Sequence, residues 1–169
     1  SWAIQTSTLA RLQGPQYEGR SMRFEGVCLT YMGLNTTKAP LDDVRVRQAI
    51  NLAVDKTSVQ TASGGPQLAE IATTILPSTV NGHRDYDIYP SEDHTGDVQA
   101  AKDLLAEAGV GDGFSMTLDI RSDPKMQAQA EAIQQALKRI DIDVELNVID
   151  VSTYYETIGT PSQQHDAAI

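Results

Sequence analysis

Between Val98 and Ile149 the apolar positions keep first a helical period, then the period of a strand, then each again. Val98, Ala101, Leu104, Leu105 and Ala108 recur at three and four residues, the stripe of a helix packed on one side. Asp97 opens that stripe and Gly109 closes it, a residue suited to the left-handed turn at a helix end. Phe114 to Ile120 then reads as a strand. Asp123-Pro124 joins an N-cap acceptor to a residue preset for the first helical turn. Met126, Ala130, Ile133, Leu137 and Ile140 carry the helical spacing onward to Lys138 and Arg139, beside the negative end of the dipole. Burying Ile133 and Leu137 should contribute about 1.5 to 3 kcal/mol each. Ile142 to Ile149 alternates as a second strand. Strand, helix, strand in that order predicts a βαβ unit with a parallel pair and a right-handed crossover. A short helix over Ser152 to Ile158 should follow, and Asp166 to Ile169 can begin one more strand.

The first half is less regular. Ile4, Leu9 and Leu12 suggest a short helix within Ser1 to Gln13, stopped by Gly14-Pro15. From Met22 to Thr36, Val27, Leu29 and Tyr31 alternate with Cys28, Thr30 and Met32, which predicts a strand with both faces largely covered. Cys28 inside it is expected to be a buried, inert thiol. Pro40 and Asp42-Asp43 announce a helix carrying Val46, Ala49, Ile50 and Ala53, and Asp55 begins a second over Lys56 to Ala62, closed by Gly64-Gly65-Pro66. Gln67 to Gly96, broken by Pro77, Gly82 and Pro90, should wrap the surface as loop. The whole predicts one α/β domain, a mixed sheet with a parallel βαβ unit and flanking helices.

Composition narrows the function. A chain of 169 residues, 40% hydrophobic, holds one substantial core. It has no apolar run of the roughly eighteen residues that a spanning helix needs, and SWAIQTSTLA lacks the pattern of a signal peptide, so the segment is expected to be soluble. A net charge of -10 argues against nucleic acid as a partner. The single cysteine supports no disulfide framework within the chain.

Four patterns suggest chemistry and fail on inspection. His83-Arg84-Asp85 imitates a kinase catalytic loop, but Pro90 stands where that loop requires Asn. Gly109, Gly111 and Gly113 follow a helix and lead into a strand, the reverse of a dinucleotide fingerprint. Asp85, Asp87, Glu92, Asp93, His94 and Asp97 lack the glycine and terminal glutamate of an EF-hand loop and the paired histidines of a zinc site. No Gly-x-Ser-x-Gly elbow is present. No catalytic residue, metal site or cofactor is therefore assigned. The sequon Asn35-Thr36-Thr37 is short enough for chance to explain.

Three strings then carry a resemblance. NTTKAPLDDVRVRQAINLAVDKTSV, Asn35 to Val59, resembles a segment of the family 5 solute-binding proteins, the peptide and nickel class of ABC importers. GDVQAAKDLLAEAGV, Gly96 to Val110, is similar to a helix of the same family, and KRIDIDVEL to its βαβ unit, with Asp141 in place of the commoner glycine. The resemblance implies one lobe of a type II periplasmic-binding-protein-like, Venus-flytrap fold. Residues 1–21 would be a connecting segment and residues 22–169 part of the second lobe, with the rest of a longer protein outside this chain. It implies an extracytoplasmic monomer, either periplasmic or a cell-surface lipoprotein touching the membrane only through an upstream lipid anchor. Such a protein binds a small solute, an oligopeptide or dipeptide, between two lobes and delivers it to the transmembrane subunits of an ABC permease, without covalent chemistry. By the same likeness Tyr31, Gly33 and Asn35, at the end of the first strand, and Lys125 and Ser152, at two helix starts, are candidate ligand contacts. Arg45 and Arg47 are expected to act locally, through ion pairs and backbone contacts that orient their helix. Two alternatives stand beside it: the sensing domain of a transcription regulator with the same fold, and a free-standing small α/β enzyme, motivated only by the acidic patch around Asp85 to Asp97 and testable at His94 and Asp97.

Overall fold

In a computed structural model, residues 8, 11, 12, 14–20 and 26–169 are described. The helix expected within Ser1 to Gln13 falls mostly outside them, as does the start of the strand expected from Met22.

From residue 26 onward five α-helices follow in chain order, each begun by an aspartate whose side chain accepts a backbone N–H of the first turn. These are α1 (Val44–Ala53), α2 (Lys56–Ala62), α3 (Val98–Glu107), α4 (Pro124–Lys138) and α5 (Val151–Gly159), capped by Asp43, Asp55, Asp97, Asp123 and Asp150. The cap works because the first N–H groups of a helix have no partner within it and the carboxylate also faces the positive end of the dipole. Residues 67–96 form the expected surface loop, with one 3-10 turn at Glu92–His94. α5 starts one residue before the expected Ser152 because Asp150 supplies the cap.

Four strands form one sheet in the order β1-β4-β2-β3: β1 (Gly33–Leu34), β2 (Phe114–Arg121), β3 (Ile142–Ile149) and β4 (Ala167–Ala168). β2 and β3 are parallel over their full length, as the βαβ reading requires, with Leu118 beside Leu146. β4 is parallel to β2 and antiparallel to β1. The sheet is therefore mixed, as expected.

β2 shows why one face becomes a core and the other a site. Met116, Leu118 and Ile120 are buried with Ile133 and Leu137 of α4 and with Val46, Ile50 and Leu105 of the neighbouring helices. Strand pleating puts Thr117, Asp119 and Arg121 on the opposite face.

The expected long first strand is corrected. Among the described residues of that stretch only Gly33–Leu34 is paired, and Val27 and Tyr31 are each 67% exposed. Cys28 is exposed rather than buried. Alternation describes a rhythm of side chains, whereas a strand is held by a ladder, and the antiparallel register pairs Gly33 with Ala168 and Leu34 with Ala167.

Arg45 and Arg47 do act locally. The Arg45 guanidinium grips Asp43 and donates to the Glu107 carbonyl at 2.6 Å, tying the start of α1 to the end of α3. Arg47 donates to the carbonyls of Leu41 and Asp42 at 2.8 and 2.9 Å. The hydrogen bond from the Arg45 side chain, then that from its backbone, pulls the Asp43 carboxyl from 3.8 down to about 2. A carboxyl whose pKa falls on folding stabilises in full above its unfolded value and loses that contribution as pH drops through the folded one. Melting measured from about pH 5 down to pH 2 should therefore fall less steeply in Asp43→Asn, which keeps a capping oxygen, than in the wild type. Equal slopes between pH 3.8 and about 2 would show that the pair contributes nothing.

The entries to β2 and β3 each need one left-handed residue, and the two lie side by side. Asp141 has φ 63° and Gly113 φ 82°, and a side chain at Gly113 would run into the Asp141 carbonyl. Aspartate tolerates this region better than most residues. Lys102 adds an ion pair to Asp141 at 2.7 Å.

Candidate functional site

A cavity of about 490 Å3 opens at the carboxyl end of β2, where β1 and β4 meet the start of the α5 wall. The crevice beyond the carboxyl ends of parallel strands is the ordinary place for a ligand in an open α/β sheet. Asp119, Arg121, His165 and Asn35 supply its polar groups, and Tyr31, Tyr154, Tyr155, Met126 and Ile158 its apolar and aromatic surface.

Asp119 is 1% exposed and accepts three hydrogen bonds. Its Oδ1 accepts from Asn147 Nδ2 and from His165 Nδ1, both at 2.7 Å, and its Oδ2 from the His165 backbone N–H at 3.4 Å. A buried carboxylate requires such satisfaction, because desolvating it unpaired would cost several kcal/mol. The His165 ring is 45% exposed on the cavity side.

The aromatic wall is held from within. Tyr154 is buried and its hydroxyl donates to the Ile169 carbonyl at 2.6 Å. Burial, more than the neighbouring charges, pushes its phenol pKa up. Tyr155 meets the Tyr154 ring edge to face at a centroid distance of 5.2 Å. Its hydroxyl accepts from Arg121 Nη1 at 3.3 Å and its side chain remains 66% exposed.

Asn35 closes the opposite side. Its backbone N–H donates to the Asp166 carbonyl at 2.8 Å and its side chain Nδ2 to the His165 carbonyl at 3.2 Å. Asn35 Oδ1 accepts from the backbone and hydroxyl of Thr37 at 3.1 and 2.7 Å, so the amide of the sequon is engaged in structure. Asp166 in turn accepts from the Thr117 backbone at 2.8 Å and pairs with Lys38 at 3.4 Å.

Of the residues singled out in the sequence, Tyr31, Gly33 and Asn35 come together in the cavity wall. Lys125 and Ser152 do not line it. The Lys125 backbone N–H donates to Asp123, and the Ser152 backbone and hydroxyl donate to Asp150, so both serve helix starts. Asp119, Arg121, His165, Tyr154 and Tyr155 had not been singled out. The run Thr117-Leu-Asp-Ile-Arg121 carried a local signal, polar residues alternating with core positions, whereas nothing near His165 pointed to Asp119.

His83, of the kinase-like triplet, contacts the Leu76 carbonyl at 2.7 Å and Asp85 at 2.8 Å, and the Asp85 carboxylate holds its pKa up. Among the described residues no group of three or more His, Cys, Asp or Glu is arranged to hold a metal, and no helix is long and apolar enough to cross a membrane.

Residues 2–169 match the family model described as bacterial extracellular solute-binding proteins, family 5 Middle. The chain is 32% identical over 139 residues to the dipeptide-binding protein of Escherichia coli K12, covering 79% of this chain and 25% of that protein. It is 35% identical over 125 residues to heme-binding protein A of Haemophilus influenzae, covering 70% and 22%. Among solved structures, clavulanic acid biosynthesis oligopeptide binding protein 2 superposes with a TM-score of 0.75 at 32% identity, covering 81% of this chain and 26% of that one. The peptide-bound DppA of Helicobacter pylori gives a TM-score of 0.69 at 28% identity, covering 82% and 25%. The chain thus spans about a quarter of the length of these relatives.

Proposed function

Because the chain belongs to the family 5 bacterial extracellular solute-binding proteins, we propose that it is one lobe of the binding component of an ABC importer, taking a short peptide and passing it to the permease unchanged. The observation that carries this reading is the cavity itself. Tyr31 and Tyr155 stand in its wall with about two thirds of their surface open, 67% and 66%. Large aromatic surfaces left open around a polar floor fit a solute that is sandwiched when a second lobe closes. A peptide offers both what the rings would cover and what Arg121, His165 and Asn35 could hydrogen-bond. Relatives named for dipeptide, glutathione and oligopeptide binding support the solute class. An extracytoplasmic monomer, either periplasmic or held at the cell surface by a lipid anchor, is the setting in which such a lobe would work.

Isothermal titration of the full-length protein with dipeptide and oligopeptide panels should give saturable binding. Tyr31→Ala and Tyr155→Ala should each weaken it by about tenfold, the loss of an aromatic contact at the centre of an interface. Silence across both panels would overturn the reading.

A further inference from the structure

The Asp119–His165 pair has a chemical consequence beyond holding the fold. A carboxylate can only accept, so the 2.7 Å contact from His165 Nδ1 to Asp119 Oδ1 puts the ring proton on Nδ1. Asn147 Nδ2 donates to the same oxygen at 2.7 Å, and the His165 backbone N–H donates to the other, so Asp119 is fixed in place from β3 and from its own partner residue. The neutral ring then presents an unprotonated Nε2. That atom has no hydrogen-bond partner among the described residues, and His165 lines the cavity with its side chain 45% exposed. Arg121, two residues beyond Asp119 on the same face of β2, brings donors to the same cavity.

Resting on the solute-binding reading, we propose that His165 is a specificity-determining residue whose Nε2 accepts a hydrogen bond from an N–H or O–H group of the solute, with Asp119 as the positioning residue that fixes its tautomer. The solute class is one that offers a donor to His165 and an acceptor to Arg121 within a single small group, as a peptide unit does. A donor-poor solute of the same size and shape is disfavoured, because it leaves the Nε2 lone pair shielded from water and unmatched.

The test joins ring spectroscopy to affinity in the full-length protein. In 15N-resolved imidazole spectra of the wild type, His165 should carry its proton on Nδ1, and the Nε2 resonance should move when leucyl-leucine or tri-alanine binds. Asp119→Asn, whose amide can donate to the ring, should transfer the proton to Nε2 and weaken peptide binding by about tenfold. His165→Ala should lose a similar factor, while His165→Gln, which retains an acceptor, should recover most of it. A proton on Nε2 in the wild type, or an Nε2 resonance unmoved by a peptide that binds, overturns the assignment. Neither readout on the wild type depends on a variant folding. If the wild type takes no peptide, the peptide reading falls separately, and the ring is followed against arginine, glucosamine and glycerol as probes. A shift of Nε2 with any of them supports the assignment, and a silent ring overturns it.

Discussion

Gly113→Ala is expected to lower the stability of this domain by about 3 kcal/mol, the sum of two costs that act on one backbone position. Gly113 has φ 82°, a region where a Cβ crowds its own backbone, at roughly 1 to 2 kcal/mol for an L-residue. The new methyl would also meet the Asp141 carbonyl oxygen, which is backbone and cannot rotate aside. Overpacking of that kind typically adds about 1 to 3 kcal/mol. In a domain of this length the loss should lower the melting temperature by roughly 10 °C. Gly65→Ala provides the contrast, since φ there is 79° but nothing lies within 4 Å of the added carbon. It should cost only about 1 kcal/mol. Equal shifts for the two variants in calorimetric melting would rule out the collision with Asp141 as the cause.

Leu118→Ala should be comparably damaging, about 2 to 5 kcal/mol. Leu118 is fully buried at the centre of β2, with Leu146 beside it on β3 and Ala167 beside it on β4. Truncation there leaves a void under the strand that pairs with both β3 and β4, and the strands around it cannot close over the gap. Leu118→Met, nearly equal in volume, should stay below about 1.5 kcal/mol. Urea titration distinguishes them by midpoint, and a Leu118→Ala loss under about 1 kcal/mol would mean that the sheet collapses around the site.

Helices and the parallel pair were legible because their signals are local. An aspartate announced α1 to α4, ahead of an apolar stripe in α1, α3 and α4, and the alternation of IDVELNVI matched β3 residue for residue. What failed was the expectation that depended on a distant partner. Met22 to Thr36 had a strand's rhythm, yet among the described residues of that stretch the pairing with β4 is confined to Gly33–Leu34. Cys28 was misplaced by the same error.

The site divides along the same line. Tyr31, Gly33 and Asn35 were named by likeness to relatives and do meet in the cavity wall. Asp119 and His165 lie 46 residues apart in sequence, and their contact arises only when the chain returns to β2 through β4. No window of sequence short enough to read as a motif contains both. The polar rhythm of Thr117, Asp119 and Arg121 was the usable hint: a strand with one apolar face and one charged face has to present the second to something.

β4 has a consequence for how occupancy is kept. Two alanines join β1 to β2, and around them the Asp166 carbonyl receives Asn35, the Ile169 carbonyl receives Tyr154, and the Ile169 N–H reaches the Asp119 carbonyl. This clasp brings together chain segments that are synthesised far apart. A molecule lodged against His165 and Tyr154 would bear on that clasp from one side, so its binding and the closure of this seam should favour each other.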